Sequence, residues 1–183
     1  MMGNGDKLIL DLCGGTGAWS KPYTDAGYDV RNITLPDYDI LEYMPPSQVY
    51  GVLAACPCEV IGNASAHLWD KRSSDLIVLH CSFVTRTLLI VIRTHPKFWV
   101  IENPPGKMRL LLGEYQYKLQ PYEFGDDYSK LTYLWGDFVP PMKMYSDSHT
   151  KQTNYIESIN ANRKVLRAIT PPGFAKAFFK ANQ

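Results

Sequence analysis

The sequence has almost no net charge: 19 Lys and Arg against 18 Asp and Glu leave +1. A protein that grips duplex nucleic acid mainly by neutralising many phosphates is usually far more basic. Any nucleic-acid contact is therefore local, weak, or made to a small substrate. Cysteine is scarce as well. Cys13, Cys56, Cys58 and Cys81 show no disulfide framework. Cys56-Pro57-Cys58 with His80-Cys81 could be half a zinc site, but a C-x2-C pair and a clean second pair are missing, so no metal is expected. No run matches the roughly 18–20 apolar residues of a membrane span. The most apolar stretch, Leu76 to Ile92, is interrupted by His80, Thr85, Arg86 and Thr87. The opening MMGNGDK has no apolar signal region. A cytoplasmic protein with no membrane partner is expected.

What is present is ordinary for a folded domain. Hydrophobic residues make up 45% and charged residues 20%, which argues against disorder, and 183 residues suit one domain better than two. Short β-rich apolar runs alternate with longer helical stretches, the signature of an α/β sheet. Lys7–Leu12 is a first strand, followed by a helix from Trp19 to Ala26 that Gly27 ends. Tyr28–Thr34 and Val49–Ala55 are further strands. Asp75 to about Thr94 is a long helix, capped by Asp75 and stopped by Pro96. Lys97–Ile101 and Leu131–Phe138 are later strands. After Pro171-Pro172-Gly173 comes a short helix with Phe174, Ala177 and Phe178 on one face.

Three loops after these strands carry unusual chemistry, and in such a sheet ligands bind where those loops gather. The first is Asp11-Leu12-Cys13-Gly14-Gly15-Thr16-Gly17. Its glycines let backbone N–H groups approach a ligand, which suits a nucleotide, a dinucleotide or S-adenosylmethionine; a tight turn that merely needs glycine is the alternative. Neither G-x-G-x-x-G nor a phosphate loop is present. The second is Ala55-Cys56-Pro57-Cys58-Glu59. A cysteine directly after a rigid proline can serve as a nucleophile toward an electron-poor ring carbon, or the two thiols can simply be small buried side chains. The third is Glu102-Asn103-Pro104 after an apolar strand. A carboxyl group there is partly desolvated and can hold or share a proton, or else be satisfied by backbone N–H groups.

Glycine turn, Pro-Cys and Glu-Asn, in that order on successive buried strands, resemble the layout of the cytosine C5-methyltransferases over nearly the whole chain. DLCGGTG is similar to that family's cofactor turn, Asp39-Ile40 to its adenine-contacting pair, Pro57-Cys58 to its nucleophile loop, and Glu102-Asn103 to its Glu-Asn pair. Phe124-Gly125, Lys130 and Thr132 lie where the family has F-G and two arginines. The W-S-K-P-Y, A-G-Y, N-I-T-L-P, E-F-G and L-W-G runs resemble short phage-encoded methylases, which would place the protein in the host cytoplasm. The resemblance implies a Rossmann-like S-adenosylmethionine-dependent methyltransferase fold, a mostly parallel sheet with helices on both faces. It implies S-adenosyl-L-methionine as cofactor, held by Asp11, Leu12, Cys13, Gly14, Gly15, Thr16, Gly17, Leu35, Asp39, Ile40 and Pro57. It further implies a catalytic set of Cys58, Glu102, Asn103 and Lys130, and DNA, duplex or single-stranded, as partner of a monomer.

The chain also departs from that pattern. Cys13 replaces an aromatic residue. Thr34-Leu35-Pro36 stand where an acidic residue holds the ribose, with Asp37 as the candidate substitute. Glu59, Val60, Ile61 and Gly62 replace the Gln and Phe-Ser of a loop that closes over the target base. The target-recognition region shrinks to about residues 137–166 of a single domain spanning 1–183. These departures leave two further readings open: the same chemistry on tRNA or a free pyrimidine nucleotide, and a non-enzymatic descendant that binds cofactor or nucleic acid.

Overall fold

A strand covered on both faces must be apolar along its whole length, and Leu8–Leu12 (β1) meets that condition everywhere except Asp11; all five residues are buried. The computed structural model describes residues 3–144, 153–154 and 169–183. The other strands are β2 (Asp29–Ile33), β3 (Gly51–Ala54), β4 (Phe98–Asn103), β5 (Tyr117–Leu119), β6 (Tyr128–Ser129), β7 (Thr132–Asp137) and β8 (Thr153–Asn154). Six of them form one sheet in the order β2-β1-β3-β4-β7-β5. β2, β1, β3 and β4 run parallel, while β7 and β5 add antiparallel pairings at one side. β6 and β8 form a separate two-stranded pair.

The period of two along the strands divides the core between the two faces. Leu8, Leu10 and Leu12, with Val52, Ala54 and Ile101, pack beneath the long helix α2 (Ser74–Thr94) and a short helix α3 (Met108–Leu112). Ile9, Leu53, Phe98 and Val100 face the other way, toward α1 (Lys21–Asp25) and α4 (Pro172–Ala181). On that second face Trp19 lies 5.7 Å from the Phe174 ring and 5.6 Å from the Phe178 ring. Each such fully buried aromatic or aliphatic side chain contributes about 1.5–3 kcal/mol. The architecture is thus the expected α/β one, a mostly parallel sheet with helices on both faces.

Several boundaries differ from the sequence expectation. α1 begins only at Lys21, because turns occupy the chain from Gly15 through Ser20. Ser73, not Asp75, caps α2: its hydroxyl accepts from Leu76 N at 3.3 Å, and Asp75 falls inside the first turn. β4 continues through Glu102 and Asn103, which pair with Leu134 and Tyr133 of β7. α2, with mean hydropathy 1.8, is long and apolar enough to cross a membrane by length and composition alone, contrary to the reading of its polar interruptions. His80, Thr87 and Thr94 in fact lie on its sheet-facing side, buried with Val84 and Ile90. Thr87 and Thr94 are accommodated there because their hydroxyls donate back to Phe83 O and Ile90 O.

Candidate active site

β1 has β2 on one side and β3 on the other, so the chain reverses direction across the sheet at β1. Loops leaving β1 and β3 therefore part and open a crevice at the carboxyl ends of the strands, where ligands bind in such sheets. The glycine turn leaves β1 there and Cys56-Pro57-Cys58 leaves β3.

In the turn, Cys13 takes a left-handed conformation (φ 56°) and its N–H donates to Ile33 O at 2.8 Å. Gly15 and Gly17 also have positive φ, 55° and 72°. A Cβ on Gly14 would lie within 2.6 Å of the Asp11 and Asn32 side chains, so this approach requires glycine. Asn32 Nδ2 donates to Gly15 O at 2.9 Å and holds the turn from β2. Asp11 is fully buried, accepts from Ser20 Oγ at 2.6 Å, and desolvation raises its pKa to about 6 against the Ser20 hydrogen bond, which lowers it. Leu12 belongs to the core and can offer a ligand only its backbone, whereas Gly15 and Thr16 are exposed.

S-adenosylmethionine, the cofactor implied by the sequence, fits these residues. Among the described residues, Asp11 Oδ1 and Asn32 Oδ1 are buried acceptors without a partner beside the turn, and nothing lies within 4 Å of a Cβ placed on Gly15. Beyond β2, Leu35 is 72% exposed, Asp37 is exposed, and Asp39 Oδ1 accepts from Leu41 N at 2.9 Å. Ile40 is buried in the core beneath α2, and Arg86 of α2 holds Ile40 O (3.2 Å) and Tyr43 O. Burial pushes the Cys13 thiol far up, and the charges of Cys56, Asp11 and Asp39 act in the same direction. The turn, the Asp39 segment and the Cys-Pro-Cys loop are therefore electrostatic neighbours.

The two thiols of that loop differ. Cys56 is buried, its Sγ lies 3.6 Å from Thr87 Oγ1, and desolvation raises its pKa to about 11. Cys58 and Pro57 are half-buried. Desolvation lifts the Cys58 thiol first, then the charges of Glu102 and Glu59, while Lys130 lowers it. Lys130 Nζ lies 4.0 Å from Glu102 Oε1, with side chains 20% and 15% exposed. Asn103 is buried and its Nδ2 donates to Cys56 O at 2.9 Å. Cys58, Glu102, Asn103 and Lys130, far apart in sequence, thus meet at the ends of β3, β4 and β7.

Opposed neighbours make the Cys58 thiol testable. Glu102→Gln removes a charge that disfavours thiolate, so Cys58 should react faster with iodoacetamide at pH 8. Lys130→Met removes the stabilising charge, so the same reaction should slow. Both variants shifting the rate in one direction would contradict this arrangement.

Some residues at the site carry no signal in the sequence for the part they play there. Ser20 and Asn32 buttress the turn, and His80 and Arg72 contact the Cys58 loop. Only the parallel register, which sets Asp11 opposite Asn32, reveals the second of these. The reduced target-recognition segment offers Lys143, His149, Lys151, Arg163 and Lys164 as polar base readers or phosphate partners and Tyr145 and Tyr155 as stacking rings; of these, Lys143 is paired with Glu123 at 2.8 Å and lies over the Tyr117 ring. Tyr145, His149, Lys151, Tyr155, Arg163 and Lys164 lie outside the described residues.

Fold and site together define a doubly wound α/β domain that carries, at the carboxyl ends of its parallel strands, a half-buried thiol next to a carboxylate. No family model matches the chain, and no curated protein matches it. A similar solved structure is that of an E. coli protein, provisionally described as a DNA modification methyltransferase encoded within a prophage. Identity is 16% and the TM-score 0.49, over 72% of this chain and 46% of that one. The chain therefore spans less than half of that protein, and a likeness of this degree carries no argument about chemistry.

Proposed function

We propose that the protein transfers a methyl group from S-adenosylmethionine to C5 of cytosine in DNA, through a covalent adduct on Cys58. The observation that carries this reading is the meeting of Cys58, Glu102 and Lys130 at the switch point, beside a glycine turn whose buried acceptors have no partner among the described residues. The motif resemblance in the sequence supports the same assignment.

Each group then has a role. The Cys58 thiol gives its proton to the Glu102 carboxylate, and the thiolate adds to C6 of the ring while Glu102 hydrogen-bonds the N3 and amino edge and passes that proton on to N3, which draws electrons from C6. C5 becomes electron-rich. The cofactor, when bound, supplies the methyl group as its sulfonium. Loss of the C5 proton to a base and departure of the thiolate restore the aromatic ring, and the N3 proton returns to Glu102. Lys130 steadies the cytosine carbonyl. Asn103 orients the nucleophile loop through Cys56 O. The turn from Asp11 to Gly17 holds the cofactor with Leu35 and Pro57 at its borders, and Asp39 and Ile40 serve the adenine. In duplex DNA the target base must leave the stack to reach Cys58.

A second reading, the same chemistry on tRNA or a free nucleotide, is favoured by the net charge of +1 and by the pairing of Lys143 with Glu123, which removes one base reader. Each good bidentate base contact is worth about 1–3 kcal/mol of discrimination. With few of them, the expected result on DNA is a context of two to four bases, or a preference for single-stranded or distorted strands. Labelled cofactor offered with duplex DNA, single-stranded DNA, tRNA and dCMP, followed by bisulfite sequencing, tests both readings. Label in DNA cytosines supports the first, label only in tRNA or dCMP moves the assignment to the second, and no label in any substrate favours a non-enzymatic descendant. A sharply defined site of six or more base pairs would contradict the expected relaxed specificity.

A further inference from the structure

The Cys58 loop has an unusual feature: every backbone carbonyl from Cys56 to Glu59 is taken by a donor. Cys56 O accepts from Asn103 Nδ2 at 2.9 Å, and Cys58 O accepts from Gly62 N at 2.8 Å. Pro57 O lies 3.3 Å from His80 Nδ1, and Glu59 O accepts from Arg72 NH2 at 2.8 Å. A carbonyl can only accept, so Nδ1 of His80 carries the proton. His80 is buried on the sheet-facing side of α2 and packs edge-on to Phe83, so its ring is not free to swing away. Arg72 lies just before the Ser73 cap of the same helix. Two of the four carbonyls are therefore held from α2 or the residue leading into it, and one from β4.

The segment after Cys58 is fastened as well. Val60 and Ile61 are buried, Gly62 bridges to Gly106, Asn63 N donates to Pro105 O and Lys107 N to Ile61 O, both at 2.7 Å. The loop that follows the nucleophile is thus joined to the loop that follows Glu102. We propose that His80 and Arg72 are positioning residues that hold the Cys58 loop by its carbonyls, so that the thiol faces Glu102 before any substrate arrives. This rests on the reading of Cys58 as the nucleophile. A base pocket assembled in advance would also suit a cytosine that is already unpaired, since no closing segment is then needed to extract it.

The test uses the full chain with substitutions His80→Ala, His80→Asn and Arg72→Ala, each checked for unchanged cofactor affinity. Asparagine places its side-chain N–H where His80 has Nδ1, so it preserves the donor. With the single-stranded cytosine substrate, His80→Ala and Arg72→Ala should lower kcat about ten- to a hundredfold, the scale of a misplacement of about 1 Å, with KM little changed. His80→Asn should recover most of that loss. A KM effect without a kcat effect, or His80→Asn behaving as His80→Ala, would overturn the proposal. A second readout does not depend on methyl transfer: iodoacetamide labelling of Cys58, read by peptide mass at pH 8. A released loop moves the thiol out of its desolvated place beside Glu102, so labelling should quicken several-fold in His80→Ala and stay near wild type in His80→Asn. Unchanged labelling in His80→Ala would overturn the positioning role even if methylation were established. Quickened labelling, with no methyl transfer by the wild type, would uphold the positioning role and reject the proposed function instead.

Discussion

Replacing Cys58 with alanine is expected to abolish methyl transfer, while Cys56→Ala largely spares it. The two thiols are separated by a single proline, yet the structure gives them different surroundings. Cys56 is buried against Thr87 at 3.6 Å, and burial holds it protonated with a pKa of about 11. Cys58 is half-buried and shares its surroundings with Glu102 and Lys130. A thiolate is the nucleophilic form, and only a thiol with a route to solvent and a neighbouring cation can supply it to a ring carbon. Removing the nucleophile leaves no covalent route, so the expected loss is complete within detection. Cys56→Ala removes one buried sulfur and should cost about 1 kcal/mol of stability. Mass spectrometry of the protein trapped on DNA carrying 5-fluorocytosine reads the attachment point directly. An adduct on Cys56 would reverse the assignment.

The second large effect should come from a glycine that sequence reading passes over. Gly106 closes the join between the nucleophile loop and the carboxylate loop, and a Cβ there would lie 2.1 Å from Ile61 O and 2.8 Å from Gly62 Cα. Both obstacles are backbone, so neither can rotate aside. Gly106→Ala must push the two loops apart and weaken the hydrogen bonds from Asn63 N and Lys107 N. Overpacking costs about 1–3 kcal/mol, and two weakened hydrogen bonds together cost about as much as one lost, about 1 kcal/mol, so a loss of about 2–4 kcal/mol is expected. At about 2–4 °C per kcal/mol for a domain of this size, the thermal midpoint should fall visibly, and methyl transfer should fall with it. Gly113 provides the control: its φ is 73°, but among the described residues nothing lies within 4 Å of an added Cβ. Gly113→Ala should cost the roughly 1–3 kcal/mol of an alanine held in a backbone region essentially confined to glycine (φ 73°, ψ −155°) and leave the site intact, so methyl transfer rather than the midpoint separates the two variants. Equal midpoints for Gly106→Ala and wild type would show that the loops are not joined as described.

How far the site was legible follows the same physical line. Glycine, proline and a desolvated carboxyl group announce themselves locally, because their backbone freedom, rigidity or charge matters wherever they stand. Asp11-to-Gly17, Pro57-Cys58 and Glu102-Asn103 could therefore be picked out as candidates from the sequence, and the resemblance placed Lys130 with them. His80 stood out only as half of a zinc pattern, not as a support of the loop. It sits in the middle of a helix that reads as an apolar run, and its contact with Pro57 O exists only because α2 lies across the end of β3. Ser73 was overlooked for a related reason: serine and aspartate are both good helix caps, and only the path of the chain decides which one occupies the position.

The α/β class and the order of strand, turn and helix were determined by the sequence alone, because burial on both faces demands long apolar strands and the alternation of periods shows through any tertiary arrangement. Strand order, and with it the switch point at β1, is a matter of nonlocal pairing, as is the insertion of β7 between β4 and β5. The meeting of Cys58, Glu102 and Lys130 is of the same kind, since residues separated by 28 to 72 positions are brought together only when three strands end side by side. Local chemistry can nominate such groups, but their distances, their shared charges and the donors that hold the loop between them are set by packing.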